Sequence, residues 1–339
     1  MAKTIFYVHD QAHTKIGILE NYNSIQWQED YNGTGRIEIR ATVTEQNLAL
    51  LKINNYIRNG DSVADILAVQ YSGEEITALG KMVGDRLQKR VIQRTVLISD
   101  VENDLRAAFT ANDRGSGLTL GAAAGLTEAI STQNTGGSLL DAISGALSAC
   151  GLGWRVAADF TLTFFKGVDR RVNQAGCVGL LSDTADTIEE VVLTGDIENA
   201  YNVAVIAGAG EGTARVWTTA WLADTEPTGE DRRELWVDAR DISTVYQIEG
   251  DATEYTYSEG DYLAILQARG REKLAEHLFE SKFTADVLDG NMTYGTDYNL
   301  GDIMPVKLLK YGVSLSVRVV SATKIYEQDE TVLIKVEKI

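Results

Sequence analysis

Apolar and polar positions alternate through most of the first hundred residues, the two-residue period of half-buried strands. TIFYV (4–8), KIGILENYNSIQWQ (15–28), RIEIRATV (36–43), SVADILAVQ (62–70) and EITALGKMV (75–83) all carry it. Glycine-bearing turns separate them at YNGTG (31–35) and YSG (71–73). One segment breaks the rhythm: TEQNLALLK (44–52) has helical spacing, with Thr44 placed to cap it. VIQRTVLISD (91–100) is predicted to close this first β unit.

The texture changes after residue 100. VENDLRAAFTAN (101–112) and GSLLDAISGALSAC (137–150) have helical spacing, and Ser138 with Asp141 forms a capping-box pattern. Gly151 and Gly153 are expected to stop the second helix. WRVAADFTLTFFKG (154–167) returns to strand alternation, and a small-residue loop, GSGLTLGAAAG, covers 115–125. Strands resume beyond 196, interrupted by the longest expected helix, DYLAILQARGREKLAEHLFESK. Ser258 and Asp261 suit its start, and Leu263, Leu266, Leu274 and Leu278 mark one apolar stripe. A strand meander occupies the end of the chain.

That meander repeats an earlier pattern. Residues 56–83 and 298–320 share a Gly-Asp pair, a strand, a Tyr-containing glycine turn and a second strand. Asp61 precedes Tyr71 by ten residues and Asp302 precedes Tyr311 by nine. The predicted class is therefore α+β and β-rich, with two related β-barrel domains, an inserted α+β domain and a long helix. The expected divisions are 1–100 for the first barrel, 101–195 for the insert and 196–339 for the second barrel. The last would carry an acidic insertion at about 208–257 and the helix at about 259–281. Gly60, Asp61, Gly301 and Asp302 are expected to form turns at the barrel strands, glycine giving backbone freedom and aspartate capping.

Composition narrows the function. The chain has 339 residues, 44% apolar, with a net charge of −18. A strongly acidic chain lacks the positive footprint that grips phosphate. Residues 183–261 hold 19 Asp/Glu against four Arg, whereas 80–94 carry a local +4. Such asymmetry serves solubility, and it also suits self-association of a basic strip with acid on another copy. Arg232, Arg233, Asp238, Arg240 and Asp241 form a charged cluster suited to inter-subunit or inter-domain pairing. Neither a signal peptide nor an apolar run long enough for a membrane span is present, so a product remaining in the cytosol after synthesis is expected. Cys150 and Cys177 lack C-x-x-C spacing and are expected as packed, reduced thiols.

Several stretches resemble catalytic motifs. HDQAH (9–13) has two histidines at i and i+4 beside a carboxylate. A zinc protease needs that pair on one helix face, whereas here it sits between two predicted strands and reads as a hairpin turn. VAVIAGAGEGTAR (203–215) has G-x-G-x-G spacing and is followed by a strand, so no helix N-terminus addresses a pyrophosphate. Neither a G-x-S-x-G elbow nor a Walker lysine loop occurs. No catalytic, cofactor or metal residues are assigned. Two readings stay open beside a structural one: a hydrolase with two distant carboxylates, and a carbohydrate-binding module using some of the tryptophans at 27, 154, 217, 221 and 236.

A set of motifs in order along the chain resembles the tail-hub family of siphophages, related in fold to baseplate hubs of contractile tails. It runs from Tyr56 with Gly60-Asp61 and the segment 80–90, through FFKGVDR with Gly167, Asp169 and Arg170, to ENAYNVAVIAGAG with Asn199 and Asn202. TGEDRRELWVDARDI (228–242), ARGREKLAE and YNLGDIMPV complete it. The resemblance implies a homotrimer in which two tube-like barrels per subunit make a pseudo-sixfold ring. It further implies contacts with the tail tube or distal tail protein and with tip or receptor-binding proteins, with DNA only as passing cargo. No membrane binding by this chain is expected. Some members carry cell-wall peptidase domains after the hub; here the strand meander runs to Ile339, and such an activity is expected elsewhere.

Overall fold

The computed structural model describes residues 4–185, 187–247, 253–277, 280–287 and 292–339. The protein is α+β and β-rich, and it divides into two compact units: residues 1–191 with 283–339, and residues 192–282.

In the first unit, seven strands form one half of a long sheet: β1 (Phe6–His9), β2 (Lys15–Leu19), β3 (Ser24–Asp30), β4 (Arg36–Thr42), β5 (Tyr56–Arg58), β6 (Val63–Ser72) and β7 (Glu75–Met82). Their order is β3-β4-β7-β6-β5-β1-β2. Side chains alternate as the sequence pattern requires, and Phe6, Ile25, Trp27, Ile37, Ile39 and Ile76 enclose a core of their own. Each such side chain contributes roughly 1.5–3 kcal/mol on burial. Helix α1 (Glu45–Leu50) covers it, started by the Thr44 hydroxyl accepting from the Asn47 amide at 3.1 Å. HDQAH lies in the β1–β2 hairpin, where the Asp10 carboxylate accepts from the amides of Ala12 and Thr14, both at 2.9 Å.

The second half of the sheet comprises β13 (Leu181–Ser182), β14 (Ile188–Asp196), β20 (Glu280–Val287), β21 (Ile303–Leu308), β22 (Val313–Tyr326) and β23 (Glu330–Lys338). Phe283, Met304, Val306, Val317, Val319 and Val336 form a separate core. The 14-residue β22 belongs to both halves. Its first part pairs with β21, its last part with β3, and β23 follows its other edge.

Between the halves the chain builds a helical layer: β8 (Val96–Asp100), α2 (Val101–Asn112), β9 (Thr119–Leu120), β10 (Ala129–Asn134), α3 (Leu139–Ala149), β11 (Gly153–Val156) and β12 (Thr161–Phe165). Leu105, Phe109, Ile143, Leu147, Trp154 and Leu162 form a third core. The expectation that 91–100 closes the first β unit is not met. β8 pairs with β10 instead of the strands of the first half, and its Ile98 is buried in the core that α2 and α3 help to build. The loop 115–125 is clamped by the buried Glu102, whose carboxylate accepts from the amides of Ala124 (2.6 Å) and Leu126 (2.7 Å).

The unit 192–282 holds the three-stranded sheet of β15 (Val203–Ala207), β16 (Trp217–Trp221) and β17 (Glu234–Asp238), the hairpin of β18 (Val245–Gln247) and β19 (Glu254–Thr256), and α4 (Glu259–Ala275). Compactness thus groups the acidic stretch and the long helix together and assigns the C-terminal strands to the first unit; boundaries at 100 and 195 do not describe these units. α4 packs on the sheet through Leu266 and Leu274, with Leu263 partly buried beside them; Leu278 lies outside the described residues. The helix ends six residues before the expected 281, where the Glu276 and His277 amides turn back to Lys273 and Leu274 and β20 follows. The G-x-G-x-G stretch is a turn between β15 and β16, with no α-helix behind it.

Candidate assembly site at the two Gly-Asp turns

Gly60 and Gly301 both adopt left-handed backbone, with φ of +104° and +86°. Such φ values cost a residue with a Cβ about 1–2 kcal/mol, so glycine makes both turns inexpensive. Each turn then grips one end of the β11–β12 hairpin. At the first, the Asp61 carbonyl accepts from the Ala158 amide at 3.0 Å, Ser62 bridges Ala157, and Arg58 donates to the Ala158 carbonyl. At the second, the chain leaving β12 lies against Gly301: a Cβ on Gly167 would come within 1.9 Å of the Gly301 carbonyl oxygen.

The two aspartates serve differently. Asp61 is exposed, and the turn amides of Asp61 and Ser62 are taken by Asn59 Oδ1 at 3.1 and 3.0 Å. Asp302 is buried; its carboxylate accepts from Val168 N at 2.7 Å and Asn299 N at 3.0 Å, and it pairs with Arg170. The FFKGVDR and YNLGD motifs therefore meet in space. Asp169 turns outward to an exposed pair with Arg171.

Tyr31, next to the NGTG turn, ties the three layers together and was not singled out by sequence patterning. Its hydroxyl donates to the Gly151 carbonyl at 3.0 Å and accepts from Gly167 N at 3.3 Å, and its backbone pairs with Trp154 and Val320. Arg318 stacks on the ring at 5.3 Å. Burial pushes the Tyr31 hydroxyl pKa up, keeping it a donor. The ring's close approach leaves no space for a Cβ on Gly153 or Gly301.

A cleft of about 920 Å³ opens beside both turns, lined by Glu29, Asp61, Asp159, Asp302, Lys166 and Lys324 among others. Lys166 is paired with Glu128 at 2.7 Å. Among the described residues no group of three His, Cys, Asp or Glu side chains is placed to hold a metal ion. The cleft is a seam of mixed charge rather than a focused acid–base pair.

The charged cluster of the second unit is partnered within that unit. Arg232 bridges Glu226 (2.7 Å) and Glu234 (2.6 Å), Asp238 bridges Arg215 (2.6 Å) and Arg240 (2.7 Å), and Asp241 faces Arg269 at 3.4 Å. Hydrogen bonds from Arg240 and then Arg215 lower the Asp238 pKa to about 2. Arg233 contributes its backbone to Asn202 and exposes its side chain.

This arrangement of a shared β sheet, a helical layer and a separate β/α unit is the fold of phage tail proteins. The tail protein from Neisseria meningitidis MC58 aligns over 99% of this chain and 96% of its own, with TM-score 0.61 and 15% identity. Prophage tail protein gp18 from Listeria monocytogenes EGD-e aligns over 99% and 94%, with TM-score 0.58 and 14% identity. The 43 kDa tail protein of prophage MuSo2 from Shewanella oneidensis aligns over 99% and 98%, with TM-score 0.61 and 10% identity. No relative is found among curated proteins. Residues 89–337 match the sequence profile of the Siphovirus ReqiPepy6 Gp37-like proteins, and the chain belongs to that family.

Proposed function

We propose that this chain is the non-catalytic hub at the distal end of a phage tail. Three copies form a ring in which the two β halves alternate, so that a threefold object presents six similar faces to the sixfold tube. The observation that carries this reading is the pair of β halves, each with its own core, fused through β22 within a tail-protein fold. Closed rings arise from heterologous contacts whose rotation closes. The neighbours are the tail tube or distal tail protein on one side and tip or receptor-binding proteins on the other. DNA crosses the ring as cargo, and the acidity of the chain keeps phosphate from adhering. The location is the virion, after synthesis in the host cytoplasm. Among the described residues no helix is long and apolar enough to cross a membrane.

An image of purified particles down the tail axis tests the proposal. A ring of three subunits with six-lobed density at the tail end is expected; a sixfold ring of six subunits, or a location on the capsid, refutes it. Reversing acidic side chains that face the lumen in that image is expected to slow DNA ejection, and unchanged ejection kinetics would remove the role given to charge.

A further inference from the structure

One face of the β16-β15-β17 sheet is covered by α4; the other carries an aromatic platform that the hub reading leaves without a role. Alternation places Ala204, Ile206, Ala220 and Val237 toward α4 and turns Trp217, Val205, Ala207 and Trp236 to the opposite side. Trp217, opposite Ala207, and Trp236, opposite Val205, are separated by the central strand, yet their rings approach to a centroid distance of 5.2 Å with their planes inclined at 56°. The Arg215 guanidinium lies 5.7 Å from one ring and 5.5 Å from the other. It is fixed by donating to the carbonyls of Ala207 (3.0 Å) and Gly208 (3.1 Å) and to Asp238 (2.6 Å). The indoles are therefore held rigidly while remaining 50% and 54% exposed.

Rigid, half-exposed aromatic rings mark binding surfaces, since little side-chain freedom remains to be lost on binding. Area and charge select the occupant. Two half-exposed indoles, their planes inclined at 56°, offer on the order of 200 Å² of apolar surface, far below the roughly 800 Å² per partner of a stable protein interface. The rim charges are mutually neutralised, Asp238 by Arg215 and Arg240 and Glu234 by Arg232. The guanidinium groups of Arg215, Arg232 and Arg240 are thus engaged by carboxylates rather than free to select a phosphate or sulfate, and the surrounding unit is acidic. A small, uncharged ligand with apolar C–H faces and polar edges fits: a pyranose ring stacked on one indole and flanked by the other, its hydroxyls toward the Asp238, Arg240 and Thr219 edges. We propose that the Trp217–Arg215–Trp236 face binds neutral pyranose units of a cell-surface polysaccharide.

The test is an array of neutral, phosphorylated and uronic-acid oligosaccharides, N-acetylglucosamine and hexose oligomers included, probed with the full chain. Neutral members are expected to bind with millimolar to high-micromolar Kd, and neutral binding is expected to quench tryptophan fluorescence. Trp217→Ala and Trp236→Ala should each weaken binding at least tenfold, whereas Trp236→Phe, which keeps an aromatic face, should lose less than fivefold. Thermal melting and circular dichroism check that the variants fold, and the phenylalanine variant preserves the test if an alanine variant does not. Absence of any binding by the wild-type chain, binding confined to charged glycans, or binding indifferent to both tryptophans overturns the proposal. A tryptophan-dependent change in the chain's oligomeric mass without glycan binding overturns it in favour of docking to a second copy. These outcomes do not depend on the hub reading, which rests on the particle image.

Discussion

Replacing Asp302 by alanine should expose the energetic centre of the junction. The Asp302 side chain is only 3% exposed and its partner Arg170 14%, so the substitution leaves a guanidinium charge largely desolvated and two backbone amides without their acceptor. Breaking a buried pair from one side costs about 3–5 kcal/mol. In a unit of this size, where 1 kcal/mol corresponds to ~2–4 °C, the loss amounts to about 6–20 °C in Tm. Asp61→Ala is the matched control. Its carboxylate is exposed and Asn59 already takes the turn amides, so the change should stay within about 0.5 kcal/mol. Scanning calorimetry of both variants reads the difference. A double variant, Arg170→Met with Asp302→Leu, removes both charges and should recover part of the loss. The reasoning fails if Asp302→Ala melts within about 2 °C of wild type, or if Asp61→Ala falls equally far.

Other consequences are equally direct. Gly167→Ala sets a Cβ against the Gly301 carbonyl, where no flexible side chain can yield, and should cost at least about 1–3 kcal/mol in urea unfolding. Gly145→Ala, in open space on α3, should instead stabilise by ~0.4–1 kcal/mol. Glu102→Ala should release the 115–125 loop, seen as faster limited proteolysis there, at about 1–3 kcal/mol. The folded pKa of Asp238 is depressed to about 2, so its contribution is fully present above the ordinary aspartate range near about 4 and is lost as pH falls through about 2. NMR titration should show that midpoint, and Arg240→Ala should raise it.

Local chemistry was legible in the sequence; long-range choice was not. Thr44, Ser138 and Ser258 all cap the helices their motifs announce, each hydroxyl accepting from an amide three residues on. HDQAH is a hairpin because strand alternation on both sides outranks histidine spacing. The 91–100 segment alternates like a barrel strand, and only the cores on offer decide that it leaves for the helical layer. Matching Gly-Asp pairs signalled two turns, but not that one carboxylate would be buried and the other exposed. Tyr31 gave no signal in isolation: its partners Gly151, Gly167 and Arg318 lie 120, 136 and 287 residues away. In the second unit the charged run was visible, whereas its satisfaction by Glu226, Arg215 and Arg269 required coordinates.

Because β22 supplies hydrogen bonds to strands on both sides of the junction, neither half can peel away without tearing a ladder that the other also uses. Amides along 313–326 should exchange with deuterium only when the whole first unit opens, in one protected block. A force drawing the two halves apart along this strand would be borne as shear spread over many bonds at once, and the strand acts as the keel of the first unit.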